Sequence, residues 1–345
     1  MNFSVRKNDL SEAIKRILPF TGKIGEFVNI NFYASPNELK LIAQNGQSTA
    51  IKSLAIQADE SFDFALNGGE INKIVDTYVN EINFTKDGNK LILKENKSKM
   101  TLALKEISQF QITDIELKEA NFKLIKEGIK KTLEFVDDKI GVMSGIHIKL
   151  QADKTILEAT NGYFGSVCEF EIKNEIEKEI ILPLFIAKEL IKIDTDFVKI
   201  GFLDLKAIFE FNTFRIETAC VSGIYPKLEP IFNFPLDNSL VINKNEISNV
   251  IKKAQTVLTK DMFMLDFAIQ KENIRISIEN QLKGLNEEIN CKYDGVDRTI
   301  KLNCELLPIV IKNCDDIINI RFSEKNPCAV YFKNKNNRMI LMMCS

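Results

Sequence analysis

Apolar positions along this chain fall into one spacing that occurs three times. Phe3, Val5, Leu10 and Ile14 set it, Phe122, Leu124, Ile129 and Leu133 repeat it, and Leu240, Ile242, Ile247 and Ile251 repeat it again. Each copy reads as helix, strands, helix, strands. A second signature follows each copy. Leu66-Asn67 precedes Ile71, Ile74 and Val75; Leu182-Pro183 precedes Ile186, Leu190 and Ile193; Leu302-Asn303 precedes Leu306, Ile309 and Val310. A repeat of this length is a domain, since solenoid units are far shorter. The pattern predicts three similar α+β domains, 1–116, 117–236 and 237–345, with two helices each.

The predicted helices are 7–18, 69–78, 123–136, 184–193, 244–260 and 304–313. In the first, Leu10, Ala13, Ile14 and Ile17 form the core stripe and Pro19 ends it. In the third, Ile125, Ile129 and Leu133 face inward and Lys126, Lys130 and Lys131 do not. Pro308 lies inside the last predicted helix and should kink or shift it. Between helices the period becomes two, as in 38–43, 90–94, 207–211 and 273–278, which read as strands. Asp87-Gly88, Asn161-Gly162 and Asp294-Gly295 mark turns. Domain joints are expected near 114–120 and 233–239.

Composition adds two constraints. Net charge is −2, so a generally basic nucleic-acid binder is not indicated. The six predicted helices nevertheless carry 15 Lys and Arg against 9 Asp and Glu, so they are basic and the remainder acidic. Lysines on one helix are usually a solvated face; the same bias over the set is harder to dismiss. Seven cysteines without close pairing read as reduced thiols of a cytoplasmic protein. No apolar run is long enough to span a membrane.

Catalytic chemistry is missing from the motifs. There is no Gly-Lys-Ser/Thr phosphate loop, no G-x-G-x-x-G and no C-x-x-C. The one histidine, His147, lies in the strand-like Gly145-Ile146-His147-Ile148, where a structural role is the ordinary reading. Asp137-Asp138, Glu287-Glu288 and Asp315-Asp316 fall in loops or helix ends and form no metal set. No cofactor and no metal is expected, and the chain reads as a non-enzyme.

Four segments carry a resemblance over the whole length. They are Met1-Asn2-Phe3-Ser4-Val5 leading to Leu10; Gly145-Ile146-His147-Ile148 followed by Leu157-Glu158-Ala159-Thr160-Asn161-Gly162; Ser222-Gly223-Ile224-Tyr225-Pro226 followed by Pro230; and Arg338-Met339-Ile340-Leu341-Met342-Met343. In this order and spacing the chain resembles the bacterial DNA polymerase III β subunit, the sliding clamp. It departs from the family where Tyr163-Phe164-Gly165 replace the usual His-Arg-Leu, and where Leu341-Met342-Met343-Cys344 replace the usual Met-Pro-Met-Arg tail.

The resemblance implies a processivity factor that encircles duplex DNA without reading sequence and tethers a polymerase catalytic subunit, loaded by a clamp loader. Elementary geometry says that one chain is not enough. Six helices about 10 Å apart leave a hole of about 9 Å, and twelve leave about 28 Å, enough for a duplex. Two chains would therefore make a fitting ring, which agrees with the head-to-tail homodimer, a six-domain ring, that the resemblance implies. Lys15, Arg16, Lys73, Lys126, Lys130, Lys188, Lys192, Lys252, Lys253 and Lys312 are the candidate lining, with Lys23 in a loop; such phosphate contacts are salt-sensitive and permit sliding. The resemblance further implies a partner-peptide pocket of Met143, Thr160, Gly162, Tyr163, Phe164, Pro226, Pro230, Ile231, Met339, Leu341, Met342 and Met343, whose methionines would adapt to several partners. The peptide would carry a Gln and terminal Leu/Phe anchors. The dimer joint is expected to set Met100 and Leu102 against Val257 and Leu258. The rival reading is a three-domain protein-binding scaffold that never encircles DNA.

Overall fold

The computed structural model describes every residue except 138, 140, 234, 260–262, 280–282, 324–328 and 344–345. One order of elements runs through it three times: strand, helix, three strands, a fourth strand, helix, three strands. The first pass begins with the strand Asn2–Arg6 and helix α1 (Lys7–Ile17), carries helix α2 (Gly68–Asp76) in its middle and ends with the strand Ser98–Ala103. The second runs from Lys118–Asn121 through α3 (Phe122–Thr132) and α4 (Leu184–Leu190) to Phe214–Ala219. A short helix, α5 (Glu229–Phe232), separates it from the third, which runs from Asn238–Asn243 through α6 (Lys244–Gln255) and α7 (Leu307–Lys312) to Asn337–Met342.

Asparagine explains where several helices start. Asn67, Asn121 and Asn243 each turn the side-chain oxygen onto a backbone N–H of the first turn, of Glu70, Leu124 and Asn245 respectively. These bonds satisfy donors that a helix N-terminus leaves open. Asn303 does the same for Glu305 and Leu306, but the helix begins only at Leu307, because Pro308 can sit in a first turn and not in an interior one. The proline shifts the helix rather than kinking it. The helices predicted over 123–136 and 184–193 end early, at Thr132 and Leu190, and α6 ends at Gln255. α5 was not predicted: Glu-Pro-Ile-Phe is too short to show a period.

The backbone divides into two compact units. The first comprises Met1–Ala120 and Asp196–Cys220, the second Asn121–Thr195 and Val221–Ser345. The cut falls inside the second pass because its strands are shared between two sheets. In the first unit, a five-stranded sheet ends on Ser98–Ala103. An eight-stranded sheet joins Phe197–Leu203, Lys206–Phe211 and Phe214–Ala219 to Ser48–Ala55 and its neighbours. Leu10, Ile14 and Ile17 of α1 are fully buried, and Phe3 stacks on Phe84 at 4.7 Å. In the second unit, a twelve-stranded sheet runs from Lys178–Pro183 to Arg298–Asn303.

Each unit contains one seam between successive passes, and both seams have the same register. In the first, Phe214, Arg215, Ile216 and Glu217 lie opposite Lys52, Ile51, Ala50 and Thr49. In the second, Asn337, Arg338, Met339 and Ile340 lie opposite Cys168, Val167, Ser166 and Gly165. Hairpin alignment makes these equivalent positions. Gln44 faces Thr49, Thr160 faces Gly165, and Glu279 faces Gly284. Thus, in both seams, the third strand after the first helix of one pass meets the last strand of the next. Ser98–Ala103 is left as a sheet edge, and Gly284–Asn290 pairs on one side only, with Asn273–Glu279, since the other side is taken from Cys291 onward.

Candidate partner-binding site and basic helix faces

The candidate partner site lies in the second unit and is built on the hairpin tip after Thr160. Asn161 accepts N–H bonds from Tyr163 (2.9 Å) and Phe164 (3.1 Å), while the Thr160 hydroxyl donates to the Phe164 carbonyl at 2.8 Å. Gly162 takes a φ of +88°, open to glycine and strained for other residues. The tip thus holds Tyr163 outward, 69% exposed. The Met342 N–H donates to the Tyr163 carbonyl at 2.8 Å and fastens the last strand to the tip. The segment after Cys220 joins behind: the Thr160 N–H donates to the Tyr225 hydroxyl at 3.0 Å. Gly223, at φ +133°, lies so close to Val142 that a Cβ would meet its side chain at 2.4 Å.

These bonds bring together the tip, the Tyr225 segment, the last strand and the Gly141–Ser144 turn that carries Met143. The expected pocket residues do not all face outward. Met339 and Leu341 are fully buried, and Phe164 packs on Phe135 with ring centroids 4.6 Å apart. The strand alternates, so Met339 and Leu341 enter the main core while Ile340 and Met342 form a small outer cluster with Tyr331, Phe232 and Leu236. The three core residues therefore back the site rather than line it. Met143 and Met343 are half-buried, Thr160 is buried, and Gly162, Pro226, Pro230 and Ile231 are exposed. Ile224, 91% exposed beside them, was not singled out from the sequence, because a lone isoleucine in a loop carries no periodic signal.

Beneath the tip is a polar cluster centred on buried His147 and Glu158. His147 Nδ1 stands 2.6 Å from Glu158 Oε1 and its Nε2 2.6 Å from Glu179 Oε1, and Lys149 Nζ reaches the same Glu158 oxygen at 2.7 Å. The imidazole stacks on Tyr225 at 4.6 Å. Burial pushes the Glu158 carboxyl up, yet the bonds from His147 and Lys149 outweigh it and hold its pKa below the usual carboxylate value. Burial also raises Tyr225, against the pull of the Thr160 N–H, so its hydroxyl stays neutral. Burial pushes the Cys168 and Cys314 thiols up to about 12, which leaves them inert. No cluster fit for a metal occurs among the described residues.

The candidate DNA-facing cations sit on or beside helices, in varied surroundings. Lys73, Lys130, Lys188, Lys252 and the loop residue Lys23 are exposed. Lys15 pairs with Asp76 (2.9 Å), a bond that, with one from Ser11, holds the Asp76 carboxyl below its usual value. Lys192, Lys253 and Lys312 pair with Glu189, Glu287 and Glu134 at 2.6, 2.8 and 2.9 Å. Arg16 lies over the Phe214 ring. Lys126 is the most confined, donating to the Ile193 carbonyl at 2.5 Å. At the expected dimer positions, Met100 and Leu102 are on the edge strand, but Val257 is buried in the core and Leu258 packs against it.

A family model for the DNA polymerase III beta subunit, central domain, matches residues 116–227. The β sliding clamp of Borreliella burgdorferi is 24% identical over 197 residues, 55% of this chain and 51% of that protein. The clamp of Mycoplasma genitalium is 29% identical over 218 residues, 58% of this chain and 55% of its own length. The matched stretch thus spans about half the length of these relatives. The solved DNA polymerase III subunit beta of Pseudomonas aeruginosa superimposes with a TM-score of 0.93, covering 100% of both chains at 15% identity. Residues 116–227 match the central domain of the DNA polymerase III beta subunit, and the fold of the whole chain is that of the solved clamp subunits. The fold of that solved clamp subunit extends over the full chain. No helix among the described residues is long and apolar enough to cross a membrane.

Proposed function

We propose that the protein is a sliding clamp: two copies close head to tail around duplex DNA and tether a polymerase, loaded by a clamp loader, without catalysing a reaction. The observation that carries this reading is the repeated seam. Two seams of one register, with one matching pair of edges left over, describe a chain built to meet its own copy. Continuing the register puts Ser98, Lys99, Met100 and Thr101 of one copy opposite Glu287, Asn286, Leu285 and Gly284 of the next. Lys99 occupies the place of Arg338, and Glu288 that of Glu169; Arg338 and Glu169 approach to 3.5 Å across the existing seam. Lys99 then faces Glu288 in the new one. This pairing takes the place of Val257 and Leu258 as the partner of the edge strand, since Val257 is buried and Leu258 is half-buried against the core.

The basic helix faces then supply loose, backbone-only contacts to DNA. The hairpin tip with Tyr163, Ile224 and Ile231 offers apolar anchorage to a partner peptide. The test has two stages. Light scattering over a dilution series is expected to give a particle of twice the 39.3 kDa chain mass. The protein, once loaded, should remain on nicked circular DNA and run off linear DNA. Reversing Lys126, Lys130, Lys252 and Lys253 to Glu should abolish retention while leaving the dimer mass unchanged. Equal retention on circular and linear DNA would refute encirclement.

A further inference from the structure

We propose that Glu95 is a positioning residue for assembly: it pins the Asn96-Lys97 turn in the shape that enters a cleft beside α6 of a second copy. The inference rests on the head-to-tail reading above and adds to it a residue whose own contacts stay within one chain.

Glu95 Oε1 accepts the N–H groups of Val79 at 3.0 Å and Asn80 at 2.6 Å, from the segment that follows α2. The Asn80 carbonyl in turn accepts the Lys7 N–H that opens α1, at 2.7 Å. The turn is thereby tied to the ends of both helices of its pass. Asn96 takes a φ of +51°, in the left-handed region that asparagine tolerates better than most residues. The third pass ties its own last turn in the same way. Glu95 faces Ser98 across one turn, and Asn334 holds that place before Asn337. The Asn334 amide donates to the Asn313 carbonyl, just after α7. One side chain accepts and the other donates, yet both fasten the turn to the segment after the second helix.

Turns in this position engage a neighbouring pass. In the second unit the Asn336 carbonyl accepts the Glu169 N–H at 2.9 Å. In the first, the Thr213 carbonyl accepts the Ser53 N–H at 2.9 Å, and the Thr213 hydroxyl accepts from Lys52 at 2.7 Å. The turn after Glu95 is built alike, but Asn96, Lys97 and Ser98 are all exposed. Its counterpart is a cleft of about 360 Å³ between α6 and the free edge, lined by Glu246, Val250, Lys253, Glu287 and Glu288. In the first seam the same space beside α1 is filled by Phe214, buried against Phe20 at 6.3 Å with Arg16 over its ring. Continuing the register puts Ser98 in the place of Phe214, Lys97 in that of Thr213 and Glu287 in that of Lys52. The Lys97 carbonyl then accepts the Glu288 N–H, and the Lys97 ammonium reaches Glu287. Glu287 holds Lys253 at 2.8 Å through one oxygen, and a carboxylate has lone pairs for a second cation.

Sedimentation of the full chain should show a dimer whose dissociation constant rises about tenfold in Glu95→Ala, because a closed ring has two joints and each loses charge-assisted bonds to its turn. Glu95→Gln keeps the side-chain oxygen and should stay within about twofold of the unaltered protein. Hydrogen exchange of the Val79 and Asn80 amides in dilute protein should speed up in Glu95→Ala and not in Glu95→Gln. Lys97→Glu, an exposed change that leaves the pin in place, should weaken assembly about threefold. In a mixture of isotope-labelled and unlabelled protein, carbodiimide coupling should join Lys97 of one copy to Glu287 of the other. If Glu95→Ala frees the two amides and leaves the dissociation constant unchanged, the proposal is wrong and the dimer reading stands. If Glu95→Ala does not fold, Lys97→Glu and the coupling decide: no weakening and no link between copies overturns the proposal. If the unaltered protein stays at one chain mass at every concentration, the dimer reading fails and the proposal falls with it.

Discussion

The two seams share a register and differ in almost everything else. The seam in the first unit is polar. Glu217, 4% exposed, accepts from Arg215 at 2.9 Å and from the Thr113 hydroxyl at 2.7 Å, and the Arg215 guanidinium also donates to the Thr113 carbonyl. Beside it Ser48 and Thr218 share a buried hydroxyl bond of 2.9 Å. The seam in the second unit is largely apolar, with Phe164 opposite Leu341 and Met339 buried; Ser166 and Asn337 (2.8 Å) are its buried polar pair. Register, then, is carried by the backbone and the repeat, while side chains at the seam are free to serve local needs. In the first unit that need is to fasten the connector through Thr113; in the second it is to support the hairpin tip.

Removing side chains on each side breaks the comparison most sharply. Glu217→Ala should cost about 3–5 kcal/mol, because Arg215 loses its buried carboxylate and keeps only the half-buried Glu210, and the Thr113 hydroxyl loses its acceptor. Changing both Arg215→Met and Glu217→Leu should restore most of that loss, measured by urea unfolding. Leu341→Ala in the apolar seam should cost about 2–5 kcal/mol from lost burial and a cavity, with no polar rescue available. Ser48→Ala should cost only about 1 kcal/mol, since one neutral hydrogen bond is lost. The smallest effect concerns the seam between copies. Lys99→Glu should weaken the dimer by about 1 kcal/mol or less, and adding Glu288→Lys should recover it, read from the dissociation constant by sedimentation. A pH series sharpens the picture in the second unit. Glu158, lowered in the fold, stabilises above its unfolded value near 4.5, and that contribution disappears as pH falls through the lower folded value. Acid unfolding of Glu158→Gln should lack this component.

Much of the helix layer was legible in the sequence because one face of each helix is wet. Leu10, Ala13, Ile14 and Ile17 stand out against Glu12, Lys15 and Arg16 for that reason. The last strand was not legible in the same way. Met339-Ile340-Leu341-Met342 is covered on both faces, so its alternation is invisible, and Met339 and Leu341 were assigned to the same pocket as Met342. The seams were hidden because strand pairing between Phe214 and Lys52 leaves no local trace at such separation. Asn161-Gly162 did announce its turn, and Pro308 its displaced helix. His147 read correctly as a strand residue, but its two carboxylate neighbours come from strands 11 and 32 positions away.

Edges that fit each other also need a way to refuse themselves. An exposed strand edge invites pairing with any similar edge, its own twin included. Here one strand edge presents Lys99, with Lys97 in the turn before it, and the other presents Glu287 and Glu288. Two like ends meeting would set lysine beside lysine or glutamate beside glutamate, while unlike ends set lysine beside glutamate. In the proposed dimer the charges on the two edges would thus give the assembly a direction, in the manner of a plug and a socket, before any side chain is buried.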